Sequence, residues 1–206
     1  MARYGFAVDL QACIGCHTCS VACKNANNLP NDMWWLNVLT VGGEAMDTSE
    51  GTYPNTSLSY VPLQCQHCAN PACVAACPSG ASYQREDGIV IVDHNKCTGC
   101  RTCMTVCPYS EVRQYNSKEP EYHIEFAMGA SDAPIHKYNT VEKCNMCASR
   151  IDRGEEPYCV EVCPARARIF GDLDDPNSDV SKAIAARETM RLLEEKQTDP
   201  SIYYLV

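Results

Sequence analysis

No stretch of about 18 apolar residues occurs in this 206-residue chain, so it encodes no transmembrane helix. The opening "MARYGFAVDLQAC" has neither a charged-then-apolar leader nor a twin arginine. The expectation is a chain without an export address of its own, carried by a partner if it works outside the cytoplasm. Basic residues are short as well: 17 Lys and Arg stand against 26 Asp and Glu, giving a net charge of −9. That balance argues against unassisted nucleic-acid binding, whose affinity rests on neutralising phosphates. There is no Gly-rich phosphate loop and no nucleophile set beside a base, so nothing marks a substrate site. The length allows one large domain or two small ones.

Cysteine is what the chain has in excess. Sixteen are present, and none lies outside four groups. Group one, "CIGCHTCSVAC", holds Cys13, Cys16, Cys19 and Cys23. Group two, "CQHCANPACVAACP", holds Cys65, Cys68, Cys73 and Cys77. Group three, "CTGCRTCMTVCP", holds Cys97, Cys100, Cys103 and Cys107. Group four, "CNMCASRIDRGEEPYCVEVCP", holds Cys144, Cys147, Cys159 and Cys163. Each group opens with C-x2-C and closes with C-x3-C; only the middle gap varies. This is a degenerate internal repeat. Proline follows the last cysteine in groups two to four (Pro78, Pro108, Pro164), whereas Lys24 stands there in group one.

Disulfides do not suit the pattern. Cysteines three and four apart in one loop cannot all meet disulfide distance and dihedral limits. Zinc sites use two pairs, usually a dozen or more residues apart, and a third cysteine three residues after a pair is surplus. A [4Fe–4S] cube needs one thiolate per iron. C-x2-C-x2-C wraps a loop round one cube, and the fourth cysteine, a helical turn later, points to a second cube. Four groups of four then give four [4Fe–4S] clusters with no cysteine left over. All sixteen cysteines are thus metal-ligand candidates, and no catalytic residue is expected.

Around the groups, strands are predicted at 4–9, 57–64 and 167–172, with a hairpin over 81–93 turning at Asp87-Gly88. "MWWLNVLTVGG" reads as a hairpin within an insertion, 24–56. Residues 117–139 form a second insertion, polar and without a clear period. An apolar stripe of Val180, Ile184, Met190 and Leu193 predicts one helix over 179–196. The apolar end, "SIYYLV", is expected to dock on the body of the chain or on a partner. His17 and His67 read as neighbours of the sites, since each iron already has a thiolate. Lys96, Arg101, Lys143 and Arg150 flank the groups and are placed to raise cluster potentials, or to act as ordinary surface charge. Trp34 and Trp35 suit either a partner surface or the core of the insertion.

The stretches "YGFAVDLQACIGCHTC", "CQHCANPACVAACPSGA", "DGIVIVDHNKCTGCRTCMTVCPY" and "VEKCNMCASRIDRGEEPYCVEVCPARARIFGDLDDP" cover most of the chain. Together they resemble the four-cluster electron-transfer (beta) subunit of the dimethyl sulfoxide reductase family of molybdenum or tungsten oxidoreductases. The resemblance implies which groups exchange fourth ligands. Cys13, Cys16, Cys19 and Cys163 would hold cluster 1, and Cys23, Cys144, Cys147 and Cys159 cluster 2. Cys65, Cys68, Cys73 and Cys107 would hold cluster 3, and Cys77, Cys97, Cys100 and Cys103 cluster 4. The implied fold is α+β, with two pseudo-symmetric, bacterial-ferredoxin-like halves of short antiparallel strands, short helices and cluster-binding loops. The outer half would be 1–23 with 139–173 and the inner half 57–116. Insertions would span 24–56 and 117–138, and a C-terminal helix and docking tail 174–206.

The implied function is an electron relay in an anaerobic reductase, between a donor or membrane anchor subunit and a molybdopterin-containing catalytic subunit. A large Mo or W catalytic subunit is the expected partner, with a membrane anchor or quinol-oxidising subunit as a further one. The expected location is membrane-associated through a partner, on the exported side, with the cytoplasm as the alternative. A free-standing polyferredoxin and a zinc-stabilised interaction module are the competing functions. Iron and acid-labile sulfide would exclude the zinc module.

Overall fold

The structure is a computed structural model that describes residues 2–42, 44–109 and 111–206. Gly43, in the first expected insertion, and Ser110, after group three, lie outside the described residues.

The chain begins with strand β1 (Tyr4–Asp9), a turn through group one, and helix α1 (Thr18–Ala26). Strands β2 (Leu36–Val41), β3 (Glu50–Thr52), β4 (Asn55–Ser57) and β5 (Ser59–Gln64) follow. Group two enters helix α2 (Ala72–Ala75), then strands β6 (Ser82–Gln84) and β7 (Val90–Val92) lead to helix α3 (Thr102–Thr105) in group three. Strands β8 (Arg113–Tyr115) and β9 (Val141–Lys143) flank the polar stretch. Group four carries helices α4 (Ala148–Asp152) and α5 (Tyr158–Glu161). Strand β10 (Arg168–Asp172), helix α6 (Asp179–Ala186) and strands β11 (Thr189–Met190) and β12 (Ile202–Leu205) complete the chain.

One four-stranded sheet, in the order β10-β1-β12-β11, joins the two chain ends. β1 runs antiparallel to β10, with Phe6 opposite Phe170, and parallel to β12, with Phe6 opposite Ile202. Alternation along these strands gives the sheet two working faces. Phe6, Val8, Ile202 and Tyr204 point into the main core, which also contains Cys19, Cys23, Cys65, Cys144 and Cys159. Ala7 and Leu205 point the other way, under Val180 and Ile184 of α6. The tail therefore docks on its own chain, as an interior strand of the sheet.

The expected helix over 179–196 is cut to eight residues. Ser178 caps it, its Oγ accepting from Ser181 N at 3.1 Å. Arg187 then turns extended, its guanidinium pairs with Asp9, and Thr189–Met190 joins the sheet beside β12. The apolar stripe was misleading past Ile184, because Met190 is 42% and Leu193 39% exposed.

The 81–93 hairpin forms as expected, β6 pairing β7, with Gly88 at φ 83° in the turn. The first insertion differs. β2 does not fold back locally but pairs over six residues with β5, bracketing the small β3-β4 hairpin. Trp35, Leu36 and Val38 enter the main core, so the insertion is bound into the body. The second insertion has no regular element among its described residues, but its end is anchored. His136 Nδ1 meets Glu142 Oε2 at 2.6 Å, and its Nε2 lies 2.8 Å from the carbonyl of Asn27. Asn116 donates to the other Glu142 oxygen. This buried network ties His136, in a stretch the sequence presents as polar and featureless, to Glu142 of β9 and to Asn27.

Candidate metal centres

Each C-x2-C opening turns through the left-handed region at the residue before its second cysteine: Gly15 (φ 68°), His67 (41°), Gly99 (69°) and Met146 (57°). This conformation turns successive backbone N–H groups to one side, the geometry of an anion-binding nest. His17 and Arg101, one residue after the second cysteine of groups one and three, repeat it at φ 57° and 61°. A short helix then presents the later cysteines: α1 carries Cys19 and Cys23, α2 Cys73, α3 Cys103 and α5 Cys159. In the last three groups the helix stops two residues before the final cysteine, which proline follows. In group one, α1 continues to Ala26, and Lys24 takes another task. Its ammonium donates to the carbonyls of Pro30 (2.6 Å), Asn31 (3.0 Å) and Met33 (3.0 Å), tying down the loop that leads to β2.

All sixteen cysteines are free of disulfides. They gather across groups. One cavity is lined by Cys13, Cys16, Cys19 and Cys163. A second is lined by Cys65, Cys68, Cys73 and Cys107, and a third by Cys77, Cys97, Cys100 and Cys103. Their empty spaces, which include space open to solvent, are about 340, 350 and 290 Å³ respectively. The remaining four form a drier cluster. Cys23 is fully buried with Cys144, Cys147 and Cys159 around it, and burial first, then these neighbours, push its thiol well up. Burial and Cys159 likewise push Cys147 up to about 12. Cys19, Cys68 and Cys107 are each pushed up to about 11, chiefly by burial. Thiols held this way keep their protons near neutral pH until a metal displaces them from sulfur and the protons pass to solvent.

Among the described residues, no three candidate ligands converge on a point where a single ion could sit. The thiols of three gatherings line a space, which suits a cube of several irons.

The four gatherings stand in a row. Cys19 of the first lies beside Cys159 of the second. Cys144 of the second lies beside Cys65 of the third. Cys73 of the third lies beside Cys103 of the fourth. Only Cys16 and Cys100 are exposed, and they belong to the two end gatherings.

The flanking residues sort themselves by burial. His67 is fully buried, its Nδ1 accepting from Val90 N at 3.1 Å, and burial holds its ring well below the usual range. It lies within the third gathering's loop as a neutral neighbour. His17 is half-buried, 3.7 Å from Asp47. Lys143 is buried, its ammonium bonded to the carbonyls of Val90 and Cys144. Lys96 pairs with Asp93 at the surface, and Arg150 with Glu155 and Glu161. Arg101 lies over the ring of Tyr115. Trp35 is core, whereas Trp34 lies under the Lys24 ammonium. Two residues beside the thiols escaped the sequence reading: Arg113 and Arg168, both buried. The available signal was an arginine five or six residues after a group's last cysteine, at the head of a strand.

A family model described as a 4Fe-4S dicluster domain matches residues 56–123 and 133–173, and a second model of that description matches 6–78. The chain is 48% identical to a putative dimethyl sulfoxide reductase iron-sulfur subunit of Halobacterium salinarum, over all of this chain and 79% of that one. It is 34% identical to the arsenate respiratory reductase iron-sulfur subunit ArrB of a Shewanella species, over 98% of this chain and 96% of that one. It is 38% identical to a selenate reductase subunit of Mesobacillus selenatarsenatis, over 96% of this chain and 70% of that one.

Proposed function

Because the chain belongs to the iron–sulfur subunits of the dimethyl sulfoxide reductase family of molybdenum and tungsten oxidoreductases, we propose that its four cysteine gatherings are the successive stations of one electron path. The protein is an electron-transfer subunit with four [4Fe–4S] clusters. When bound, the clusters carry the electrons. The chain fixes their order, keeps the inner ones dry and sets their electrostatic surroundings.

The proposed ligand sets are those of the four gatherings. Cys13, Cys16, Cys19 and Cys163 hold cluster 1, and Cys23, Cys144, Cys147 and Cys159 hold cluster 2. Cys65, Cys68, Cys73 and Cys107 hold cluster 3, and Cys77, Cys97, Cys100 and Cys103 hold cluster 4. These exchanges divide the chain into two ferredoxin-like halves related by pseudo-symmetry, 1–23 with 139–173 outside and 57–116 nested within. The observation that carries the reading is the row with exposed ends. Cys16 and Cys100 are the two exposed cysteines, the others being buried or half-buried, and at these ends electrons can pass to another protein. Exposed Ile14 and Val21 flank Cys16 and suit a protein contact there.

In a reductase, electrons would enter at cluster 4 and leave at cluster 1 to a molybdopterin-containing catalytic subunit. A membrane anchor or quinol-oxidising subunit would dock at the cluster 4 end. No helix among the described residues is long and apolar enough to cross a membrane, so attachment on the exported side would come through that partner.

The test compares electron paramagnetic resonance spectra of C16S, C163S and C147S in the intact complex. C163S and C16S should disturb the same cluster signal, although Cys163 lies 16 residues from Cys147 and 147 from Cys16. If C163S instead disturbs the signal altered by C147S, the exchange of fourth ligands is wrong.

A further inference from the structure

Two arginines are buried without an acidic partner. Arg168, at the head of β10, is 3% exposed, and its Nε, Nη1 and Nη2 all lack a hydrogen-bond partner. Arg113, at the head of β8, is 4% exposed. Its Nη1 reaches Ser82 Oγ at 3.4 Å, and its Nη2 has no partner. Burying an unpaired ion is costly even after relaxation. The Phe6 ring, 5.3 Å from the Arg168 guanidinium, offsets only part of that cost. The charge needs an anion, and the described residues place no carboxylate beside either guanidinium.

Their positions are equivalent. Arg168 lines the cavity of Cys13, Cys16, Cys19 and Cys163, and its other neighbour is Cys159 of the adjacent set. Arg113 lines the cavity of Cys65, Cys68, Cys73 and Cys107, and is also beside Cys103 of the adjacent set. Each guanidinium thus lies between two ligand sets of one half. The junction between the halves is different. Lys143 lies there, but its ammonium is already bonded to two carbonyls. A [4Fe–4S] cube with four thiolates is a net anion, and a planar guanidinium has enough N–H groups to face one on each side. The orphaned nitrogens fit such a guest.

We infer that Arg168 and Arg113 are shared counter-cations, one lodged between the two clusters of each half, that raise the reduction potentials of both neighbours together. The inference rests on the ligand sets proposed above. A cation favours the more negative, reduced form of any cluster beside it. One cation serving two clusters ties their potentials together, so each half behaves as a matched pair. Neither arginine touches substrate, so both are positioning residues.

The test is a potentiometric titration, followed by electron paramagnetic resonance, of the intact complex carrying R168Q, R168K or R113Q. In R168Q the reduced-to-oxidised ratio at fixed ambient potential should fall about tenfold or more in two clusters. That is about 59 mV for a one-electron couple. The two clusters should be those whose signals respond to C16S and C147S, and the other two should be unmoved. R113Q should shift the complementary pair. R168K, which keeps the charge, should recover most of the shift. Unchanged potentials, a shift in one cluster alone, or R168K behaving like R168Q would overturn the inference. Iron and acid-labile sulfide on the wild-type chain separate this outcome from failure of the ligand sets. A wild-type count below about sixteen of each would fault the clusters, not the arginines. Should the glutamine variants not assemble, wild-type protein labelled with guanidino-15N arginine answers instead. Pulsed spectroscopy of the reduced clusters should detect nitrogen coupling, and its absence would overturn the inference.

Discussion

Removing residues 202–206 should unfold the half of the molecule that holds the chain ends. Ile202 and Tyr204 are fully buried and Leu205 is 2% exposed. Burial of such side chains contributes roughly 1.5–3 kcal/mol each, or roughly 4.5–9 together. A domain of this kind has a net stability of roughly 5–15 kcal/mol, so the deletion removes a comparable amount. The ladder to β1 is lost as well, and so is the bond from the Tyr204 hydroxyl to Pro62 O at 3.1 Å. Because unfolding of an iron–sulfur protein is irreversible, the readout is a rate: loss of the broad visible cluster absorbance on anaerobic incubation with a chelator. A paired substitution sharpens the result. Tyr204→Ala should cost about 3–5 kcal/mol, as other buried aromatic truncations do. Tyr203→Ala, one residue away on a half-buried site over Arg191, should change little. Equal bleaching of the deletion and the wild type, or equal effects of the two tyrosine variants, would refute the sheet reading of the tail.

Lys24→Met should leave the carbonyls of Pro30, Asn31 and Met33 without their donor, a loss of about 1.5–3 kcal/mol that a fall in thermal midpoint would register. An unchanged midpoint would show that water replaces the ammonium. Ser178→Ala should cost about 1 kcal/mol through loss of the α6 cap, and Ser178→Gly less. Metal analysis should find iron and acid-labile sulfide at about sixteen each per chain and no stoichiometric zinc; zinc in their place would remove the electron-transfer function.

The cysteine groups were legible because a cube imposes fixed spacing on its loop, and spacing survives in a bare sequence. The 81–93 hairpin was legible for a similar reason: Asp87-Gly88 makes a local turn between two short strands. The misreadings concern long-range pairing. β2 looked like half of a local hairpin, but its partner is β5, beyond a second small hairpin. Periodicity carried the C-terminal helix past Ala186, where the pull of Arg187 toward Asp9 and the edge of the sheet end it. "SIYYLV" announced burial but not its partner, since apolar alternation does not say which strand lies alongside. Arg113 and Arg168 were missed for a further reason. A charged residue in sequence looks like surface until its neighbours are known, and most of the thiols that share a cavity with each arginine come from the paired group, 40 or more residues away. The same holds for His136, in a polar insertion, and its buried partner Glu142 on β9.

The central claim is that the fourth cysteine of each group closes the cluster of another group, which places four clusters in one row. An anaerobic crystal structure of the intact complex, with anomalous data at the iron edge, tests it most directly. The account predicts four cubes, with Cys163 on the cube of Cys13, Cys16 and Cys19, and Cys23 on that of Cys144, Cys147 and Cys159. Cys163 and Cys159 bound to the same cube would contradict it, and the order of the electron path would fall with it.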